Sequence, residues 1–119
     1  MVSRKSEILD QLIDIIDARK NSDADASYTA KLLAKGPAHI GRKLNEESVE
    51  ALLAAAQNNP AELAQEAADV VFHLLVLLAA LDVSPDEVWD ILAKRQGVSG
   101  LAEKASRQQS KQIEVSKGD

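Results

Sequence analysis

Apolar residues recur along this chain at the three-to-four spacing of a helix. Ile8, Leu9, Leu12, Ile13, Ile15 and Ile16 form a first stripe and predict a helix from about Ser3 to Lys20. The polar stretch from Asn21 to Ala26 carries two Asp and a Ser and reads as a loop. Ser27 is placed to cap a short helix through Ala34, which Gly36 ends. Pro37 then suits the first turn of a third helix, running to about Gln57. Asn58-Asn59-Pro60 is a break. Beyond it Asn59, Pro60 and Glu62 stand at N-cap, N1 and N3, the start pattern of a capping box. The fourth helix runs from there to about Leu81. Ser84-Pro85-Asp86-Glu87 repeats the start signal for a fifth, ending near Gly97.

No period-2 alternation survives more than a few residues, so no strand is predicted, and no internal repeat is visible. The expected fold is all-α, a bundle of about five helices. Its central member is the fourth, where Leu63, Ala67, Val70, Val71, Leu74, Leu75, Leu78 and Leu81 make a broad stripe. Phe72 and Val76 extend it, so this helix is expected to be covered on more than one side. Residues 1–107 are read as one domain and residues 108–119, rich in Gln, Ser and Lys, as a disordered tail. A bundle of this size with such a helix completes its core by associating with a second copy, as a homodimer or higher homo-oligomer.

Composition narrows the function classes. Of 119 residues 45% are hydrophobic, mainly Ala and Leu, and only 3% aromatic, which agrees with helix throughout. A formal net charge of −5 leaves no uniformly basic surface for nucleic acid. The absence of Cys excludes disulfides and thiolate metal sites. The start, MVSRKSEILD, lacks the apolar core of a signal peptide. The longest apolar run, Leu74 to Leu81, is far shorter than the roughly 20 residues of a spanning helix. A soluble, cytoplasmic protein without membrane association is expected.

The chemistry lies in carboxylates. The third helix carries Glu46-Glu47-Ser48-Val49-Glu50 and the fourth Glu66-Ala67-Ala68-Asp69. Residues three or four apart share a helix face, so Glu47 neighbours Glu50, and Glu66 neighbours Asp69. Glu50 stands eight residues before Asn58 and Glu66 eight after it. At about 1.5 Å of rise per residue, an antiparallel hairpin folded there brings the pairs to one level. Glu66, Asp69 and His73 fall along the edge of the apolar stripe, where like charges repel and lose hydration. A divalent cation is the simplest compensation, and all-oxygen ligands point to Mg²⁺, with Mn²⁺ as the alternative. Mg²⁺ is commonly shared between a few carboxylates and substrate phosphates, so a phosphate-rich small molecule is the expected partner. On their own, each E-x-x-E or E-x-x-D also describes a solvated helix face. A di-iron site would want Glu-x-x-His motifs, which are absent here.

These residues resemble a known family. E-E-x-x-E followed by E-x-x-D resembles the metal-binding signature of the MazG-like, all-α nucleoside-triphosphate pyrophosphohydrolases. Four segments are similar to the phosphoribosyl-ATP pyrophosphatases among them: Ser27 to Gly36, Lys43 to Glu47, Ala68 to Leu78, and Gly97 to Arg107. The resemblance spans about Ile8 to Arg107 and shows no departure at the acidic positions. It implies hydrolysis of phosphoribosyl-ATP to phosphoribosyl-AMP and pyrophosphate, the second step of histidine biosynthesis. Under it, Glu47, Glu50, Glu66 and Asp69 are metal ligands, and Glu46 is a further ligand or polarises the attacking water. Lys43 holds a phosphate or pairs with Glu46 or Glu47. Lys31 and Lys35 are phosphate-binding candidates, Tyr28 stacks on a base or packs on the bundle edge, and Arg107 closes over substrate. His73 is expected to be a hydrogen-bonded border residue and Trp89 a core or dimer contact. With no nucleophilic side chain in evidence, water attacks directly. Two other functions use the same fold: a housecleaning pyrophosphohydrolase of the same superfamily, and a non-catalytic helical interaction module.

Overall fold

A computed structural model describes residues 4–96, 104, 107 and 108. The chain separates into two compact units, Met1–Ser84 and Pro85–Asp119. The first holds α1 (Arg4–Arg19), a 3₁₀ turn (Ala24–Ala26), α2 (Tyr28–Lys35), α3 (Pro37–Ala56) and α4 (Pro60–Ala80). The second holds α5 (Pro85–Arg95). No strand occurs among the described residues, so the fold is all-α.

The helix ends follow local chemistry. The Ser27 side chain accepts from the Ala30 N–H at 3.0 Å and opens α2. Gly36, at φ +93°, sends its N–H back to the Leu32 carbonyl and lets α3 start at once with Pro37 in its first turn. At the α3–α4 junction Asn58 takes the left-handed conformation, at φ 54°, which Asn tolerates. The Asn59 side chain then accepts from the Glu62 N–H at 3.1 Å. Only this half of the expected capping box forms. The Asn59 N–H that Glu62 would accept from is already given to the Ala54 carbonyl at 3.0 Å, which closes the hairpin. The loop after α1 is less plain than its polarity suggests: Asp23 accepts from the Asp25 N–H and winds the segment into the 3₁₀ turn.

The core sits where α1, α2, the start of α3 and the later half of α4 meet. Ile16, Leu32, Ile40, Leu75 and Val76 are buried there, flanked by Leu9, Leu12, Ile13, Leu33 and Phe72. An ion pair from Lys20 to Asp82 ties the end of α1 to the turn after α4. The rest of α3 and α4 pack along each other as a hairpin.

The stripe on α4 is only partly covered. Leu63, Val71, Leu74 and Leu81 remain exposed, as do Val49, Leu52 and Leu53 on α3. The helix is also apolar over a longer stretch than Leu74 to Leu81 suggests, with a mean hydropathy of 1.6, enough by length and composition to cross a membrane. It nevertheless packs on α1, α2 and α3 and carries Glu66 and Asp69 in that stretch, as a core helix with a site on it does. In the second unit Trp89 is half-exposed, so it is not a core residue of the single chain. Residues 109–119, most of the expected tail, lie outside the described residues, as does most of Gly97 to Ser106.

Candidate metal centre

The hairpin turn sets the acidic pair of α3 against that of α4. Carboxylate oxygens of Glu47, Glu66 and Asp69 lie within 4.8 Å of one another. Glu66 is the enclosed member, 9% exposed, while Glu47 is half-buried and Asp69 exposed. Glu66 Oε2 is shielded from solvent and finds no hydrogen-bond donor. The carboxylates of Glu50, Glu62 and Glu47 are within its reach, but each is an acceptor unless a proton is shared. Crowding by these carboxyl groups, Glu50 first, together with burial and the Glu62 carboxyl, pushes the Glu66 pKa up to about 8. Glu47 is raised as well, by burial first and then by the charges of Glu50 and Asp69.

A buried oxygen without a donor, surrounded by further acceptors, fits a hard cation. Glu47, Glu66 and Asp69 are the residues placed to hold it. Glu50 stands beside Glu66 and Glu47 on the other flank. Glu46 is exposed and takes a hydrogen bond from Lys43 Nζ at 3.3 Å.

His73 is buried, one turn beyond Asp69. Its Nδ1–H donates to the Asp69 carbonyl at 2.7 Å, because a carbonyl only accepts. Nε2 makes a hydrogen bond with the Tyr28 hydroxyl at 3.1 Å. Tyr28 also lies against Phe72, with centroids 6.2 Å apart, so it packs on the bundle edge although its ring stays half-exposed. These bonds join the start of α2 to the helix turn that presents Asp69.

A basic strip continues the acidic one along α3. Partial burial, then the charges of Lys35, Lys43 and Arg42, lower the His39 pKa. His39 and Arg42 were not among the expected site residues, although the four-residue spacing of His39 and Lys43 marks one face of α3. Lys31 and Lys35 are exposed on α2. Arg107 is exposed and belongs to the second unit.

Comparison with known proteins follows the same residues. The family model for phosphoribosyl-ATP pyrophosphohydrolase matches residues 9–96. A phosphoribosyl-ATP pyrophosphatase of Cereibacter sphaeroides is 53% identical over 100 residues, covering 84% of this chain and 97% of its own. One of Rhodobacter capsulatus is 54% identical over 99 residues, covering 83% and 96%. One of a Ruegeria species is 52% identical over 100 residues, covering 84% and 95%. Matched over most of its length by the model and by these relatives, the chain belongs to the phosphoribosyl-ATP pyrophosphohydrolase family.

Proposed function

We propose that this protein hydrolyses phosphoribosyl-ATP to phosphoribosyl-AMP and pyrophosphate, in the second step of histidine biosynthesis, with Mg²⁺ held between α3 and α4. The substrate assignment rests on relatives of that name whose length the chain covers almost entirely. The cation requirement rests on one observation, the donor-less buried oxygen of Glu66 among the carboxylates of two helices.

Glu47, Glu66 and Asp69 are the ligands, and Glu50 joins them from the flank. Bound there, Mg²⁺, or Mn²⁺ in its place, supplies neutralisation of the charge that develops on the leaving pyrophosphate. The protein's own part is to gather the carboxylates, which it does by fixing the hairpin turn. Water oxygen bonds to phosphorus, the phosphoanhydride bond to the departing pyrophosphate breaks, and the proton of the water passes to a carboxylate. Glu46, exposed at the end of this row, is assigned as the acceptor that orients that water. Lys43, Lys35 and Lys31 hold phosphate oxygens, and the Tyr28 ring completes the substrate contacts of this unit. The enzyme works as a homodimer in the cytoplasm, with the exposed apolar residues of α3 and α4 as its subunit contact.

Incubation of the full chain with phosphoribosyl-ATP and Mg²⁺, beside a panel of ordinary nucleoside triphosphates, tests this. Pyrophosphate release from phosphoribosyl-ATP, abolished by chelator and by Glu66→Gln, is the expected result. Equal hydrolysis of the panel would replace the substrate assignment with a housecleaning role. A folded protein that hydrolyses nothing would leave only a helical interaction module.

A further inference from the structure

His73 lies in the interior of α4, 4% exposed, and is not among the cation ligands. A leucine would fill such a place with no polar atoms to satisfy. The imidazole instead engages both ring nitrogens. Its Nδ1–H reaches the Asp69 carbonyl at 2.7 Å, and Nε2 shares a hydrogen bond with the Tyr28 hydroxyl at 3.1 Å. Inside a helix that carbonyl is also the acceptor of the His73 backbone N–H, so one residue engages both of its lone pairs. Neighbouring rings hold the imidazole at this angle: Phe72 and Tyr28 each meet it edge-on, with centroids 5.1 Å and 6.1 Å away. Tyr28 is itself the first residue of α2, directly after the Ser27 cap.

These contacts end on the turn that presents Asp69. Asp69 is the exposed member of the Glu47, Glu66 and Asp69 set, so packing does not fix its side chain. With a single methylene, Asp carries its carboxylate where the backbone places it, whereas Glu has one more torsion to adjust. Asp69 must also stand near two other carboxylates against their repulsion. Whatever fixes the turn from residue 69 to residue 73 therefore fixes this ligand. The same bonds reach α2, where Lys31 and Lys35 follow Tyr28 on one face.

We propose that His73 is a positioning residue for Asp69, holding the α4 turn in which this ligand stands, and that the Tyr28 hydroxyl positions His73 from α2. The inference rests on the cation-dependent site above but not on its substrate. It gives the Tyr28 hydroxyl a task apart from that of its ring. A His that merely fills the core would change stability alone when replaced.

The test is the dissociation constant of Mn²⁺ on the full chain without substrate, from the free-ion signal in electron paramagnetic resonance. Melting temperature in chelator and helix content by circular dichroism are read beside it. Tyr28→Phe keeps the ring against Phe72 and removes only the hydroxyl. His73→Leu keeps the volume and removes both nitrogens. Each variant is expected to weaken Mn²⁺ binding about tenfold, as loss of a group that orients a metal ligand does. The double variant is expected to lose no more than His73→Leu alone, because residues acting in series share one effect. Losses that multiply would overturn the action of Tyr28 through His73. Native Mn²⁺ affinity in folded Tyr28→Phe, whatever its melting temperature, would overturn the proposal and leave the function standing. Should His73→Leu fail to fold, Tyr28→Phe alone decides. Weakened Mn²⁺ binding in the variants of a chain that does not hydrolyse phosphoribosyl-ATP would keep this inference and remove the substrate. No Mn²⁺ on the native chain would remove both.

Discussion

Glu66 is the residue on which the site turns, because it is enclosed where its neighbours are not. Its ordinary value is 4.5 and the folded chain raises it to about 8, so the fold binds its proton more tightly than the unfolded chain does. The sign of the pH dependence follows. The proton's contribution to stability is complete below about pH 4.5 and is lost as pH rises towards 8. Glu47 is shifted in the same direction and adds to the trend. In chelator, the melting temperature is expected to fall across this window, by a smaller amount in Glu66→Gln. Mg²⁺ binds the deprotonated carboxylates and is expected to restore the loss most strongly at the alkaline end, since a ligand specific to the folded state stabilises it. Melting curves from pH 5 to pH 9, with and without Mg²⁺, measure this. A melting temperature independent of pH in chelator would mean that these carboxylates do not crowd one another in solution.

At the scale of elements, the α3–α4 hairpin is what brings the acids together, and its turn is built from three adjacent residues. Asn58 turns left-handed, Asn59 caps α4, and Pro60 starts it. Asn59→Ala is expected to cost about 1 kcal/mol through loss of the cap. It should also weaken Mg²⁺ binding, because the start of α4 positions Glu62 and Glu66. Thermal melting and a Mg²⁺ titration monitored by melting temperature report the two effects separately. A loss of stability with unchanged Mg²⁺ response would show that the cap does not hold the site. The turn was legible in the sequence because Asn, Pro and Gly act locally: Ser27, Gly36, Pro37 and Asn59 mark helix ends to within a residue or two. Helical spacing likewise paired Glu47 with Glu50 and Glu66 with Asp69. What local pattern did not show was competition for a single backbone group. Asn59 N–H has one hydrogen to give, and only the folded hairpin reveals that Ala54 takes it. Glu62 therefore read as a capping residue and not as part of the acidic cluster.

For the molecule as a whole, the decisive feature is apolar surface left on α4 and the adjoining part of α3. The width of the α4 stripe was visible in sequence, but which side the bundle covers depends on where α1 and α2 pack, and they cover only the later half. Leu63, Ala67, Val71, Leu74 and Leu81 recur at helical spacing and are all exposed. Burying one such Leu is worth about 1.5–3 kcal/mol, so a patch of this size is a strong drive to association. A lipid surface is a poor destination for it, because Glu66 and Asp69 interrupt the same helix and charge is costly in hydrocarbon. A second copy is the better one: a two-fold contact sets the same stripe against itself and leaves the carboxylates at its border. Leu74→Glu, near the middle of the stripe, would then place two like charges in one interface. Light scattering after gel filtration is expected to find the native chain as a dimer and this variant as a monomer, with unchanged helix content by circular dichroism. Retained dimerisation in the variant would move the interface elsewhere, and a monomeric native chain would dispose of it.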